Sequence, residues 1–203
     1  GKVVTINPIE NLNYASNYYL TIGEDAFSDA SGNDFIVNDA TTINFSTERN
    51  LTVINGNNRA NTINGTDNND MISGLGGNDK LNGRLGNDIL DGGSGQDNFI
   101  FNTALNNNNV DILINFNSRD DTITLENGIF GSLTRTGTIG DVNFVSNIGG
   151  IAMDSNDFIL YDTASGSLYY DQDGNGAQLA LMFAQIDLNS DLGIITRSDF
   201  VIV

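Results

Sequence analysis

Residues 56–100, set in rows of nine, read GNNRANTIN (56–64), GTDNNDMIS (65–73), GLGGNDKLN (74–82), GRLGNDILD (83–91) and GGSGQDNFI (92–100). Three columns keep their phase down these rows. Glycine opens each one, at Gly56, Gly65, Gly74, Gly83 and Gly92. The sixth place holds Asn61, Asp70, Asp79, Asp88 and Asp97, and the eighth holds Ile63, Ile72, Leu81, Leu90 and Phe99. The eighth residue is the one reliably large apolar side chain per row, so it points inward from a very short strand. Glycine and asparagine in places one to five accept the positive φ of a tight turn. Such a turn aims several backbone carbonyls at one point, and the sixth-place aspartate adds a carboxylate to it. One row makes a turn and a strand, so two rows, or 18 residues, close one coil.

Turns on the same side are then alternate rows, stacked about 4.8 Å apart. This pairs Asp70 with Asp88, Asp79 with Asp97, and Asn61 with Asp79. Stacked like charges repel; a cation between them would meet two carboxylates and several carbonyls, close to the roughly 6–8 oxygens that calcium takes. The candidate ligands are Asp70, Asp79, Asp88 and Asp97 with the turn residues around them. Those are Gly65, Asp67 and Asn69; Gly74, Gly76 and Asn78; Gly83, Leu85 and Asn87; and Gly92 and Ser94.

Composition points the same way. The 203 residues carry 8 Lys plus Arg against 26 Asp plus Glu, a formal charge of −18, with no His, Cys or Trp. Without His or Cys there is no Ser-His-Asp or Cys-His nucleophile, no HExxH zinc site and no thiol chemistry. The acidity argues against nucleic acid as a partner. Carboxylates without nitrogen or sulfur ligands suit hard, oxygen-seeking cations. No apolar run approaches the roughly 20 residues of a transmembrane segment. Gly1–Thr5 (GKVVT) lacks the layout of a signal peptide, which leaves the cytosol or an export route that does not read the N-terminus.

The rows resemble GGxGxDxUx, the nonapeptide of the RTX (repeats-in-toxin, hemolysin-type) calcium-binding proteins. GGSGQDNFI is a full match; Leu75 and Arg84 replace the second glycine in their rows, Asn68 the fourth-place glycine, and row 56 departs most, with Arg59 and Asn61. The resemblance implies an all-β chain built on a calcium-stabilised parallel β-roll over residues 49–102 that binds several Ca2+ ions.

The flanks read as strands. Val110–Phe116 and Arg119–Leu125 alternate apolar with polar and resemble the DxIxxF…DDxIxL segment that follows such rolls and closes their open end. Asp111 and Asp121 there read as solvated strand-end carboxylates ahead of ligands for a terminal ion. Phe158–Asp162 and Ser167–Asp171 bracket TASG as a hairpin. Next, Asp171, Asp173 and Asn175 place oxygen side chains at spacings 1, 3 and 5 before glycine, as an EF-hand loop opens; Met182 at place 12 excludes a true EF-hand. The fragment resembles the LYYDxDGxG signature of C-terminal RTX regions, a local calcium or turn-stabilising site. Asp187–Asp191 (DLNSD) has similar spacing and reads as an Asx-rich turn. Ala177–Ile186 reads as a helix or a strand, with strand favoured by its neighbours. The tail SDFVIV (198–203), physically a sticky strand, resembles the uncleaved C-terminal signal of type I secretion. Residues 103–203 thus read as a β-rich cap and secretion-signal region.

Residues 1–48 differ. Val3–Pro8, Asn17–Ile22 and Thr42–Thr47 read as strands, and with the turn at Ser28–Asn33 they resemble the closing half of a bacterial Ig-like domain, suggesting a piece of a longer protein. Phe45 and Ile54 nonetheless fall in phase with the inward column.

Two functions follow from the resemblance. One is a non-catalytic calcium-binding module at the C-terminus of a secreted or cell-surface protein, part of an adhesin. It folds on extracellular calcium after passing the type I secretion machinery, and reaches extracellular ligands through upstream domains. The other is the delivery and folding domain of a secreted hydrolase whose catalytic domain lies outside this chain. A glycosidase needs only two carboxylates, but no buried acidic pair announces itself.

Overall fold

The computed structural model describes residues 17–22, 41–46, 51–188 and 193–203. The chain divides into two compact units, Gly1–Asn50 and Leu51–Val203. In the first, β1 (Asn17–Ile22) and β2 (Thr41–Ser46) pair antiparallel, with Tyr18 opposite Phe45 and Leu20 opposite Ile43. The expected strand at Val3–Pro8 and the turn at Ser28–Asn33 lie outside the described residues, as does most of Asp187–Asp191.

The second unit begins as a roll of very short strands: β3 (Thr52–Asn57), β4 (Thr62–Asn64), β5 (Asp70–Leu75), β6 (Lys80–Asn82), β7 (Ile89–Asp91) and β8 (Asn98–Phe101). Pairing is parallel between alternate strands at the spacing of two rows: Ile54 beside Ile72, Ile63 beside Leu81, Ile72 beside Leu90 and Leu81 beside Phe99. Each coil therefore contributes one strand to each of two sheets. The eighth-place residues point between the sheets; Ile72, Leu81, Leu90 and Phe99 are fully buried. One large apolar residue in nine gives the roll a thin core, so most of its order rests on the turns.

The chain then leaves the period without leaving the sheets. β9 (Asp111–Ile114) adds beside β7, with Leu113 next to Leu90, and β10 (Thr122–Leu125) adds beside β8, with Ile123 next to Phe99. The remaining strands are β11 (Gly137–Thr138), β12 (Phe144–Asn147), β13 (Ile159–Asp162), β14 (Ser167–Tyr170), β15 (Leu181–Ile186) and β16 (Phe200–Ile202). They extend both sheets, which run β11-β16-β10-β8-β6-β4 and β12-β13-β14-β15-β9-β7-β5-β3. The parallel edges that the last coil would expose are thereby covered. Here the core thickens into an aromatic cluster. Phe183 packs edge-on against Phe101 and Phe130, with ring centroids 5.1 and 5.3 Å apart, and Phe130 meets Tyr170 at 5.1 Å.

β13 and β14 form the expected hairpin, closed where Gly166 takes φ +77° and its N–H donates to the Asp162 carbonyl at 2.8 Å. Strand is the outcome for only the second half of Ala177–Ile186. Its first residues stay irregular because Asp173 Oδ2 accepts the N–H groups of Ala177 and Gln178, and Leu179 is exposed. Among the described residues no helix is long and apolar enough to cross a membrane.

Candidate metal sites

The two-row spacing brings the sixth-place residues of alternate rows into register at the turns. There each carboxylate divides its oxygens. Asp88 Oδ1 accepts the Asp70 N–H at 2.8 Å, Asp97 Oδ1 the Asp79 N–H at 2.8 Å, and Asp79 Oδ1 the Asn61 N–H at 2.7 Å. The second oxygens of Asp79, Asp88 and Asp97 are buried and accept no hydrogen bond. Leaving a charged acceptor buried and unpaired is costly, and three in a row mark positions at which a cation fits.

Their surroundings bear this out. A methyl group built on Gly74 would overlap Asp79 Oδ2 and lie 2.7 Å from the Gly92 carbonyl oxygen; on Gly92 it would lie 2.5 Å from Asp97 Oδ2. The first-place glycine thus leaves a small cradle onto which its own row's carboxylate converges, joined in the row of Gly74 by a carbonyl of the next coil. Among the described residues no three acidic side chains cluster, so most ligands to an ion there must be backbone oxygens. Burial is the main reason that Asp88 is pushed up to about 7 and Asp97 to about 6, with repulsion from their column neighbours adding to it. A bound divalent cation reverses that trend by favouring the ionised form.

Rows 56 and 65 are closed differently. Thr66 donates its N–H (2.6 Å) and hydroxyl (3.0 Å) to Asp70 Oδ2, and Asn57 donates its N–H to Asn61 Oδ1 at 2.8 Å. Protein donors therefore occupy the oxygens that stay unpartnered in the next three rows.

The other candidate residues fall around these turns. Gly65, Gly74, Gly76, Gly83 and Gly92 are buried in them; the side chains of Asp67, Leu85 and Ser94 face solvent. Gly76 bridges to Ser94, whose carbonyl accepts the Gly77 N–H. Fifth-place asparagines do something the sequence reading missed. Asn69 Oδ1 accepts the Asn87 N–H, Asn78 Oδ1 the Gln96 N–H, and Asn87 Oδ1 the Val110 N–H, at 2.8, 3.1 and 2.9 Å. Aspartate stitches each coil to the one before and asparagine to the one after. The recurrence of Asn at place five was the available signal.

Two expectations need correction. Asp111 and Asp121 are not solvated strand ends: they are 4% and 6% exposed and continue the aspartate columns. Asp111 Oδ1 accepts the Asp88 N–H at 3.1 Å, and Asp121 Oδ1 the Asp97 N–H at 2.9 Å. Asp88 and Asp111 also make a buried acidic pair of the kind the sequence did not announce. The nine-residue period does not reach it, because the steps from Asp88 and Asp97 to these residues are 23 and 24 positions instead of two rows.

Farther along, Asp171 and Asp173 are brought together. Asp171 is buried, its carboxyl raised chiefly by that burial, and its Oδ1 accepts the Asp173 N–H at 3.2 Å. Asp173 Oδ1 is buried without a partner. Asn175 turns its amide toward the Met153 carbonyl, and its N–H donates to the Asp154 carbonyl, tying this loop to 153–157.

Residues 53–81 and 64–99 match the profile of the RTX calcium-binding nonapeptide repeat, in four copies. Among curated proteins none matches the chain. Residues 53–99 are therefore RTX repeats, and repeats of this kind bind several Ca2+ ions.

Proposed function

We propose, from the premise that residues 53–99 are RTX calcium-binding nonapeptide repeats, that the chain is a non-catalytic folding module switched by calcium, part of a secreted or surface-attached adhesin. The observation that carries this reading is the set of buried, unpartnered second oxygens on Asp79, Asp88 and Asp97. Without cations the coils stack charge on charge, and a chain of net charge −18 favours expanded states. An expanded chain suits passage through a type I exporter, read from the C-terminal end. Outside, calcium binds the folded state alone and stabilises it by linkage. Sites of extracellular modules have dissociation constants on the order of 10⁻⁴–10⁻³ M. Each contributes about 1.4 kcal/mol when calcium is ten times that constant, so three or four supply roughly 4–6 kcal/mol, comparable to the whole stability of a small domain. A further ion at Asp171 and Asp173 belongs to the same proposal.

The test is far-UV circular dichroism of the whole chain against free calcium, from chelator to about 10 mM, with magnesium as control. We expect a cooperative coil-to-β transition that magnesium does not reproduce. A β spectrum in chelator, unchanged by calcium, would overturn the proposal.

A further inference from the structure

The geometry points to Asp111, which lies beyond the nonapeptide repeats, as a second carboxylate for the ion at Asp88: the two together hold it over Gly83, at the joint between the roll and the strands that follow it. This inference rests on the calcium-switched reading and deepens it.

Three observations place the site. First, Asp111 repeats the bonding of a sixth-place aspartate although it stands 23 residues beyond Asp88, since its Oδ1 accepts the Asp88 N–H at 3.1 Å. Second, Asp88 is fully buried and its Oδ2 has no partner. Third, a methyl built on Gly83 would overlap Asp88 Oδ2 and lie 3.1 Å from Asp111 Oδ2. Two carboxylate oxygens from different elements therefore converge on one face of a glycine, where the row of Gly74 offers one carboxylate and a carbonyl.

The opposite column ends otherwise. Asp121 Oδ2 accepts the Asn117 N–H at 2.8 Å, so a protein donor sits where Asp111 has its acidic neighbour. The last aspartate of one column thus faces an unpartnered carboxylate oxygen, and that of the other has its second oxygen closed by a hydrogen bond. The ion-bearing end falls on β9, the strand between β7 of the roll and β15 of the cap. Calcium at this position ties the two halves of the larger sheet together.

The test counts calcium ions bound per chain at saturation, by equilibrium dialysis with metal analysis, for wild type, Asp111→Asn and Asp121→Asn. Asparagine keeps the oxygen that accepts the Asp88 N–H and removes the charge. We expect Asp111→Asn to bind one ion fewer than wild type with a β spectrum retained, and Asp121→Asn to bind the wild-type number. An Asp111→Asn chain that binds the full complement overturns the inference. Should that variant fail to reach the β spectrum, Gly83→Ala takes its place: Gly83 has no positive φ, so alanine fits the backbone while its methyl fills the cradle. Again one ion fewer is expected, and the wild-type count refutes the site. If wild type itself binds no calcium, the broader reading fails; if wild type binds several ions and the variants match it, only this site fails.

Discussion

At Asp88 a single carboxylate does two jobs, with one oxygen stitching its coil to the previous one and the other left for an ion. Asp88→Asn should keep the first and lose the second, so the variant should fold only at several-fold higher calcium, read as the midpoint of the dichroism titration; an unchanged midpoint contradicts the role. Protons compete for the same oxygens. Asp88 and Asp97 are raised to about 7 and about 6 from 3.8, so the folded state without metal holds protons that the unfolded chain gives up. The stability that these two groups contribute is full below their unfolded value of 3.8 and is lost as pH rises through about 6 and about 7. In chelator, residual β signal should therefore grow from pH 8 to pH 5, whereas in calcium the midpoint should move to higher concentration over the same range. The second place shows a different strain. Leu75 and Arg84 hold φ of 73° and 71° where the full-match row has Gly93 at 83°. Left-handed backbone costs an L-residue roughly 1–2 kcal/mol, partly offset by the entropy glycine brings to the unfolded chain. Arg84→Gly should stabilise the calcium-loaded fold by about 0.5–1 kcal/mol, visible as a higher melting temperature. The aspartates of the repeat were legible in the sequence because they obey a period, and Asp111 was misread because a longer connection breaks that period while the hydrogen bond preserves its register.

Among the elements, β16 changes most between sequence and structure. Its apolar run read as a sticky tail. In the fold it lies between β10 and β11, with Phe200 beside Ile123 and both buried, Ile202 buried, and Phe144 5.4 Å from Phe200. A capping box at Thr196 and Asp199 sets its entry, the Asp199 carboxylate accepting the Thr196 N–H at 2.6 Å. Losing one buried phenylalanine costs about 3–5 kcal/mol, so deleting Asp199–Val203 should raise the calcium needed for folding several-fold or abolish the transition. Folding of the truncation at the wild-type midpoint would show β16 to be dispensable. Strand identity from β3 to β10 was legible from alternation and period. The pairing of β16 with β10 was not, because it joins residues 77 positions apart and nothing local encodes which edge a short apolar strand will take.

For the whole molecule, the roll supplies period and charge while the cap supplies most of the aromatic core. Neither suffices alone: the roll buries one large apolar residue per row, and the cap's sheets begin on the roll's last strands. The opposing charge is of two kinds, spread over the surface and locked in the aspartate columns. Salt at about 1 M, with a Debye length near 3 Å, screens the first but not the second. Sodium chloride at that concentration, in chelator, should therefore leave the chain unfolded by dichroism; folding in salt alone would mean that net charge, not site occupancy, is the switch. The all-β class and the calcium-binding repeats were legible from the columns, through the family that they resemble. How the cap continues both sheets was not, since it depends on long-range strand order.

The edge-to-edge stacking of coils also gives the roll a mechanical grain. Neighbouring coils are joined by short parallel pairings, by the inward apolar column and by the hydrogen bonds at their turns, so tension along the stacking axis loads one coil seam at a time. Each seam that parts frees 18 residues, about 60 Å of extended chain. Under the proposed calcium switch, ions at the turns raise the pull that such a step resists, so calcium would tune the stiffness of the roll.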